Sequence, residues 1–180
     1  MRYLSGTFPK GNTHCKALDR LTIHVATAVG SVVLVFAFLA PEALADRYRY
    51  PLGDISHAEL LDRHEVFRRN YDEYETPAPV EGLPADLAVQ ILFGTWCHDS
   101  EREVPRMLKL LEASGVKQEK ISLIALDIRK EEPQGRAKAL GVKYTPTFIF
   151  LSRNQELGRI IERPSISLSD DVAAIAALAR

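Results

Sequence analysis

The segment Gly94-Thr95-Trp96-Cys97-His98-Asp99-Ser100 carries a cysteine and, three residues on, a serine. Two cysteines at that spacing on the first turn of a helix make a dithiol that opens and closes as a disulfide. A serine hydroxyl cannot close that ring, so the chemistry open to this segment is that of one thiol. At a helix N-terminus the unpaired backbone N–H groups and the helix dipole favour thiolate, the attacking species. A protonated His98 adds to that effect, whereas Asp99, Glu101 and Glu103 oppose it by like charge. Ser100, one turn on, is expected to donate a hydrogen bond to the thiolate. Cys97 and Ser100 are therefore the candidate catalytic residues, with His98 and Asp99 as candidate modulators of the thiol.

Other readings of these residue types are weaker. Cys97, His98 and Asp99 are metal-ligand types, but consecutive residues on a helical turn point different ways and no second cluster completes a shell, so no metal is expected. A hydrolase triad fails because its members must meet from separate segments. His57 and His64, seven apart, could share one helix face. Tyr48, Tyr50, Tyr71 and Tyr74 are expected to dock the N-terminal stretch against the rest of the chain. No organic cofactor motif is present.

The fate of a thiol depends on its compartment. Arg2, Lys10, Lys16 and Arg20 precede an uncharged run from Ala26 to Ala40, which is followed by Ala43-Leu44-Ala45. That order reads as a secretory signal peptide over residues 1–45, with the remaining chain exported, as to a periplasm. The alternative is an uncleaved membrane anchor, if the apolar run is extended back to Leu21. Cleavage would remove Cys15 and leave Cys97 as the lone thiol. Of 23 basic and 24 acidic residues it would also remove four and two, leaving a net charge of about minus three. With no basic patch to track phosphate, nucleic acid is not an expected partner, nor is a membrane once the leader is gone. The remaining ~135 residues suit one core.

Around residues 56–74, Leu60, Leu61, Val66, Phe67, Tyr71 and Tyr74 recur at helical spacing and predict one amphipathic helix. Residues 87–93 form a short apolar run before Gly94, as in a buried strand that delivers Cys97. A helix is expected over 98–113, closed by Ser114-Gly115. A second strand follows over 121–126, then a short helix over 133–140 stopped by Gly141. Residues 148–151 and 157–161 flank a polar turn at 152–156, a hairpin, and a last helix starts near Ser169. This order implies an α/β sandwich whose mixed sheet has a parallel part and a C-terminal antiparallel hairpin.

Trp96-Cys97 after a buried strand, Pro105 inside the following helix, Thr145-Pro146 before a strand, and the closing hairpin and helix together resemble the thioredoxin-like family over most of residues 87–180. Residues 46–86 then read as an N-terminal helical extension. The resemblance implies a thioredoxin-like fold and a cis Thr145-Pro146 bond, with Trp96, Thr145 and Pro146 meeting an extended substrate. It further implies thiol-disulfide exchange with protein or small-molecule thiols and disulfides, here in a monothiol Cys-x-x-Ser form whose mixed disulfide waits for an external thiol. The family's buried acid in the strand before the motif is replaced by Ile91, which removes the base of a dithiol cycle. The competing reading is a non-catalytic module that keeps the fold to bind a peptide or protein.

Overall fold

The computed structural model describes residues 50–75 and 78–179; the leader, Cys15 and Tyr48 lie outside them. The elements are β1 (Gly53–Ile55), α1 (His57–Arg63), α2 (Glu65–Glu73), β2 (Ala88–Phe93), α3 (His98–Ala113), β3 (Ile121–Ala125), α4 (Arg136–Ala139), β4 (Thr147–Ser152), β5 (Gln155–Ile161) and α5 (Leu168–Ala176). The five strands form one sheet in the order β1-β3-β2-β4-β5. β2 and β3 are parallel, joined through α3, and the remaining pairs are antiparallel. This is the expected mixed α/β sheet.

The pleat explains the apolar runs. Val89, Ile91 and Phe93 of β2 share a core with Leu123, Phe148 and Phe150 beneath α1, α2, α3 and α5, while Leu92, Ile124 and Ile149 point to the other face and pack with Ala137 of α4. Both faces are covered, so Ile91-Leu92-Phe93 stays apolar without alternation.

The N-terminal stretch departs from expectation. Where the periodicity predicts one helix over residues 56–74, the backbone is extended at His64 (φ −121°, ψ 91°) and two helices form. A straight helix would hold His57 and Tyr71 about 21 Å apart; the break brings their rings to 5.3 Å. The two histidines consequently share no helix face: His57 bonds Gln118, and His64 stacks edge-on to Phe67. Strand β1 was not legible in three residues, yet it pairs antiparallel with β3. Leu60 and Phe67 are buried with the sheet residues, so residues 50–75 contribute to the same core.

Other boundaries shift for local reasons. The helix expected over 133–140 is the single turn α4. The fully buried Glu132 carboxylate accepts the N–H groups of Gln134, Arg136 and Ala137, and Gly135 enters the helix at φ +71°. The hairpin turn is only Arg153-Asn154, both left-handed at φ 51° and 61°, a pair that suits the twist of a two-residue turn. Asp86 holds it by accepting Arg153 N–H at 2.7 Å and Ser152 O–H at 2.9 Å, bonds that keep its carboxyl below the usual carboxylate range. Helix α5 begins at Leu168, capped by Ser167 Oγ, which accepts Asp170 N–H at 3.1 Å. Among the described residues no helix is long and apolar enough to cross a membrane.

Between α2 and α3, the Tyr71 hydroxyl donates to the Glu112 carboxylate. Burial first, then Glu112, pushes the Tyr71 phenol up to about 12. An unfolded tyrosine ionises near 10, so this bond's contribution is complete below about pH 10 and is lost as the pH rises towards 12. Urea midpoints of wild type are expected to fall faster over that window than those of Tyr71→Phe. Parallel declines would mean that Tyr71 does not carry the effect.

Candidate active site

Strand β2 ends at Phe93 and the chain turns through Gly94-Thr95-Trp96 into α3. Cys97 caps that helix in extended conformation (φ −101°, ψ 120°) and receives Glu101 N–H on its carbonyl at 2.9 Å. The loop is tied down at three points. Leu126 N–H bonds Phe93 O at 2.8 Å, Trp96 Nε1 donates to Leu126 O at 3.0 Å, and Cys97 N–H bonds Gly94 O at 3.1 Å. The indole folds back over Gly94, where a Cβ would stand 2.4 Å from Trp96 Cε2, so glycine is the only residue that leaves the ring room.

Cys97 Sγ donates to Thr145 O at 3.1 Å, a bond between residues 48 apart in sequence, and the Thr145–Pro146 peptide is cis. Cys97, Thr145 and Pro146 are thus brought together. The Pro146 carbonyl is held by Glu162 N–H at 2.7 Å, and the Thr147 hydroxyl donates to Tyr144 O at 2.7 Å. Thr145 and Thr147 are buried, but Cys97 is partly exposed, so its sulfur is open to a partner. Cys97 is the one cysteine among the described residues.

Strand β2, α3 with Pro105 inside it, the cis Thr145–Pro146 loop against the thiol, the β4–β5 hairpin and α5 stand in the order on which the resemblance rested. The fold is thioredoxin-like. No protein-family model matches the chain, and no curated protein matches it. Among solved structures, the chain is similar to a reduced thioredoxin pre-protein of Schistosoma mansoni at 25% identity, over 42% of this chain and 66% of that one, with TM-score 0.32. It is similar to the long form of thioredoxin f from spinach chloroplast at 25% identity, over 53% and 72%, with TM-score 0.38. A protein of unknown function from Pseudomonas aeruginosa matches at 18% identity over 69% and 97%, with TM-score 0.43. At these TM-scores the likenesses add no weight to the topology itself.

Within this thioredoxin-like site, several expected roles are redistributed. Ser100 is fully buried and accepts Gly94 N–H at 3.3 Å, so its oxygen braces the loop, and no bond to Cys97 Sγ is present among the described residues. The bond expected from Ser100 is replaced by that to Thr145 O, because the thiol at the N-cap faces the cis-proline loop. His98 is almost wholly in solvent and its Nδ1 meets Glu101 Oε2 at 2.9 Å. Asp99 is bonded by Arg102 at 2.6 Å, with Arg163 at 4.0 Å, so its charge is already paired. Neither residue contacts the sulfur. Ile91 is fully buried and brings no acid.

Sequence reasoning passed over the rim. Lys130 Nζ lies 5.4 Å from the Trp96 ring centre. Tyr144 directly precedes Thr145, Ile161 pairs with Thr147, and Ile128 follows the Leu126 that holds Trp96; all three are large apolar side chains about half exposed. Each stands next to a residue that shapes the site, and that neighbourhood, unlike a helical period, has no signature in local sequence. Among the described residues no group of three His, Cys, Asp or Glu side chains could hold a metal.

Proposed function

We propose that this chain is an exported thiol-disulfide exchange protein that works through Cys97 alone. The Cys97 thiolate attacks one sulfur of a partner disulfide, forming a mixed disulfide and expelling the partner's other sulfur as thiolate. An external thiolate, from a small molecule or a substrate cysteine, then attacks the mixed disulfide, carries the partner's sulfur away in a new disulfide and returns Cys97 as thiolate. The observation that carries this reading is the partly exposed Cys97 Sγ at the start of α3, 3.1 Å from Thr145 O beside cis Pro146. Exchange there would replace the S–H bond to Thr145 O by a sulfur-sulfur bond, leaving Thr145 O free to accept an N–H of the partner's backbone. The apolar rim of Ile128, Tyr144 and Ile161 suits a protein segment as substrate. Export is supported by the order of the basic, apolar and Ala-x-Ala segments in residues 1–45.

Capture from the native compartment tests the proposal. Acid-quenched, alkylated extracts of cells carrying the wild-type chain are expected to hold partners linked through Cys97 and released by reductant, and Cys97→Ala is expected to hold none. If both forms retain the same partners without a disulfide, the chain is a binding module and the exchange reading is wrong.

A further inference from the structure

A proline inside a helix lacks the N–H owed to the carbonyl four residues back, and its ring pushes against that carbonyl. In α3 the proline is Pro105, so Glu101 O lacks the N–H that position 105 would otherwise give it. The donor comes from another element: Asn70 Nδ2 on α2 reaches Glu101 O at 2.7 Å. Helix α2 is in turn fastened to α3 beyond the proline. Lys109 Nζ donates to Tyr71 O at 2.8 Å and Tyr74 O at 2.7 Å, carbonyls at the C-terminal end of α2 that lack helical partners. Arg106 lies over the Tyr74 ring at 5.2 Å, and Tyr71 bonds Glu112. Helix α2 therefore grips α3 on both sides of Pro105. Asn70 holds the part that starts at Cys97, and Lys109 and Glu112 hold the part that follows.

We infer that Asn70 is a positioning residue for Cys97: it supplies the donor that Pro105 lacks and so fixes the angle at which the first two turns of α3 present the thiol to Thr145. This rests on reading Cys97 as the reactive group of the site. Without the bond, residues 98–104 are free to swing about the proline, and the 3.1 Å approach of Sγ to Thr145 O at the positive end of α3 is no longer held.

A double-mutant cycle separates positioning from packing. The rate of Cys97 alkylation by iodoacetamide at pH 7 is read by mass spectrometry on the Cys97 peptide, using the full chain. Asn70→Ala is expected to slow it about threefold, the scale of a helix-terminus effect. In a Pro105→Ala background, where a restored main-chain N–H takes Glu101 O, the same substitution is expected to leave the rate unchanged. Asn70→Asp, which keeps the side chain's size and loses the donor, must reproduce the slowing. A rate unchanged or raised in Asn70→Ala, equal slowing in both backgrounds, or a wild-type rate in Asn70→Asp overturns the inference. Iodoacetamide reports the thiol and not its exchange with disulfides, so this result and the capture experiment fail independently.

Discussion

Replacing Ser100 by cysteine is expected to shorten the life of a mixed disulfide on Cys97 by about a thousandfold. In the wild type nothing within the described chain can expel a bound partner: Cys97 is the one cysteine there, and Ser100 offers only a hydroxyl. The rise and radius of an α-helix put Cα atoms three residues apart about 5 Å from each other, within the ~4.4–6.8 Å that a disulfide spans between Cα atoms. The new thiol would sit in the buried first turn, and its effective concentration at the Cys97 disulfide would exceed a millimolar external thiol by about three orders of magnitude. With Ile91 where a carboxylate would serve as base, the release should still quicken as pH rises. The measurement is the release of thionitrobenzoate from its adduct on Cys97, followed by absorbance without added thiol. A lifetime unchanged by Ser100→Cys would mean that the two side chains do not meet, and that the site could not have run a dithiol cycle whatever its residues.

The second large effect concerns the N-terminal stretch. Phe67 is 1% exposed, and its ring lies 5.8 Å from that of Phe93, the residue from which the chain turns towards Cys97. Phe67→Ala is expected to destabilise the fold by about 3–5 kcal/mol, the usual cost of removing a fully buried ring. That is a large share of the ~5–15 kcal/mol by which a domain is stable. The loss should appear as one cooperative urea transition at lower midpoint, because Leu60 and Phe67 share the core of β2, α3 and β4. A loss under about 1 kcal/mol, or a separate early transition, would make α1 and α2 an appendage instead. The same substitution should disturb the thiol, since α2 carries Asn70.

How much of this was legible beforehand varies by element. Helix α3 has the expected bounds, because Val104, Met107, Leu108 and Leu111 repeat at helical spacing and Ser114-Gly115 ends it. Strand β2 was legible from its apolar run for the same local reason. Strand β1 is three residues long and offers no period to detect. The break at His64 has no proline or glycine to announce it; it arises because α1 and α2 must both lay apolar side chains on the sheet while His57 meets Tyr71. Pro133 marks a first helical turn by its residue type, whereas the buried Glu132 carboxylate and left-handed Gly135 delay the start of α4 to Arg136. At the site, Cys97 and cis Pro146 were foreseen together, but the partner of Ser100 was not.

Residue identity alone settles which chemistry is available: one thiol at the start of α3, a serine where a second thiol would stand, an apolar residue where a base would stand, and a proline that withholds one N–H from the helix. These follow from residue identity and short-range spacing, which folding does not alter. What meets those groups is set by packing between distant segments. Thr145 O faces the sulfur, Gly94 N–H takes Ser100 Oγ, and Asn70 answers Pro105. Such pairings join segments far apart in the chain, and their geometry is set by how α2 and the cis-proline loop pack on α3, which no local period encodes.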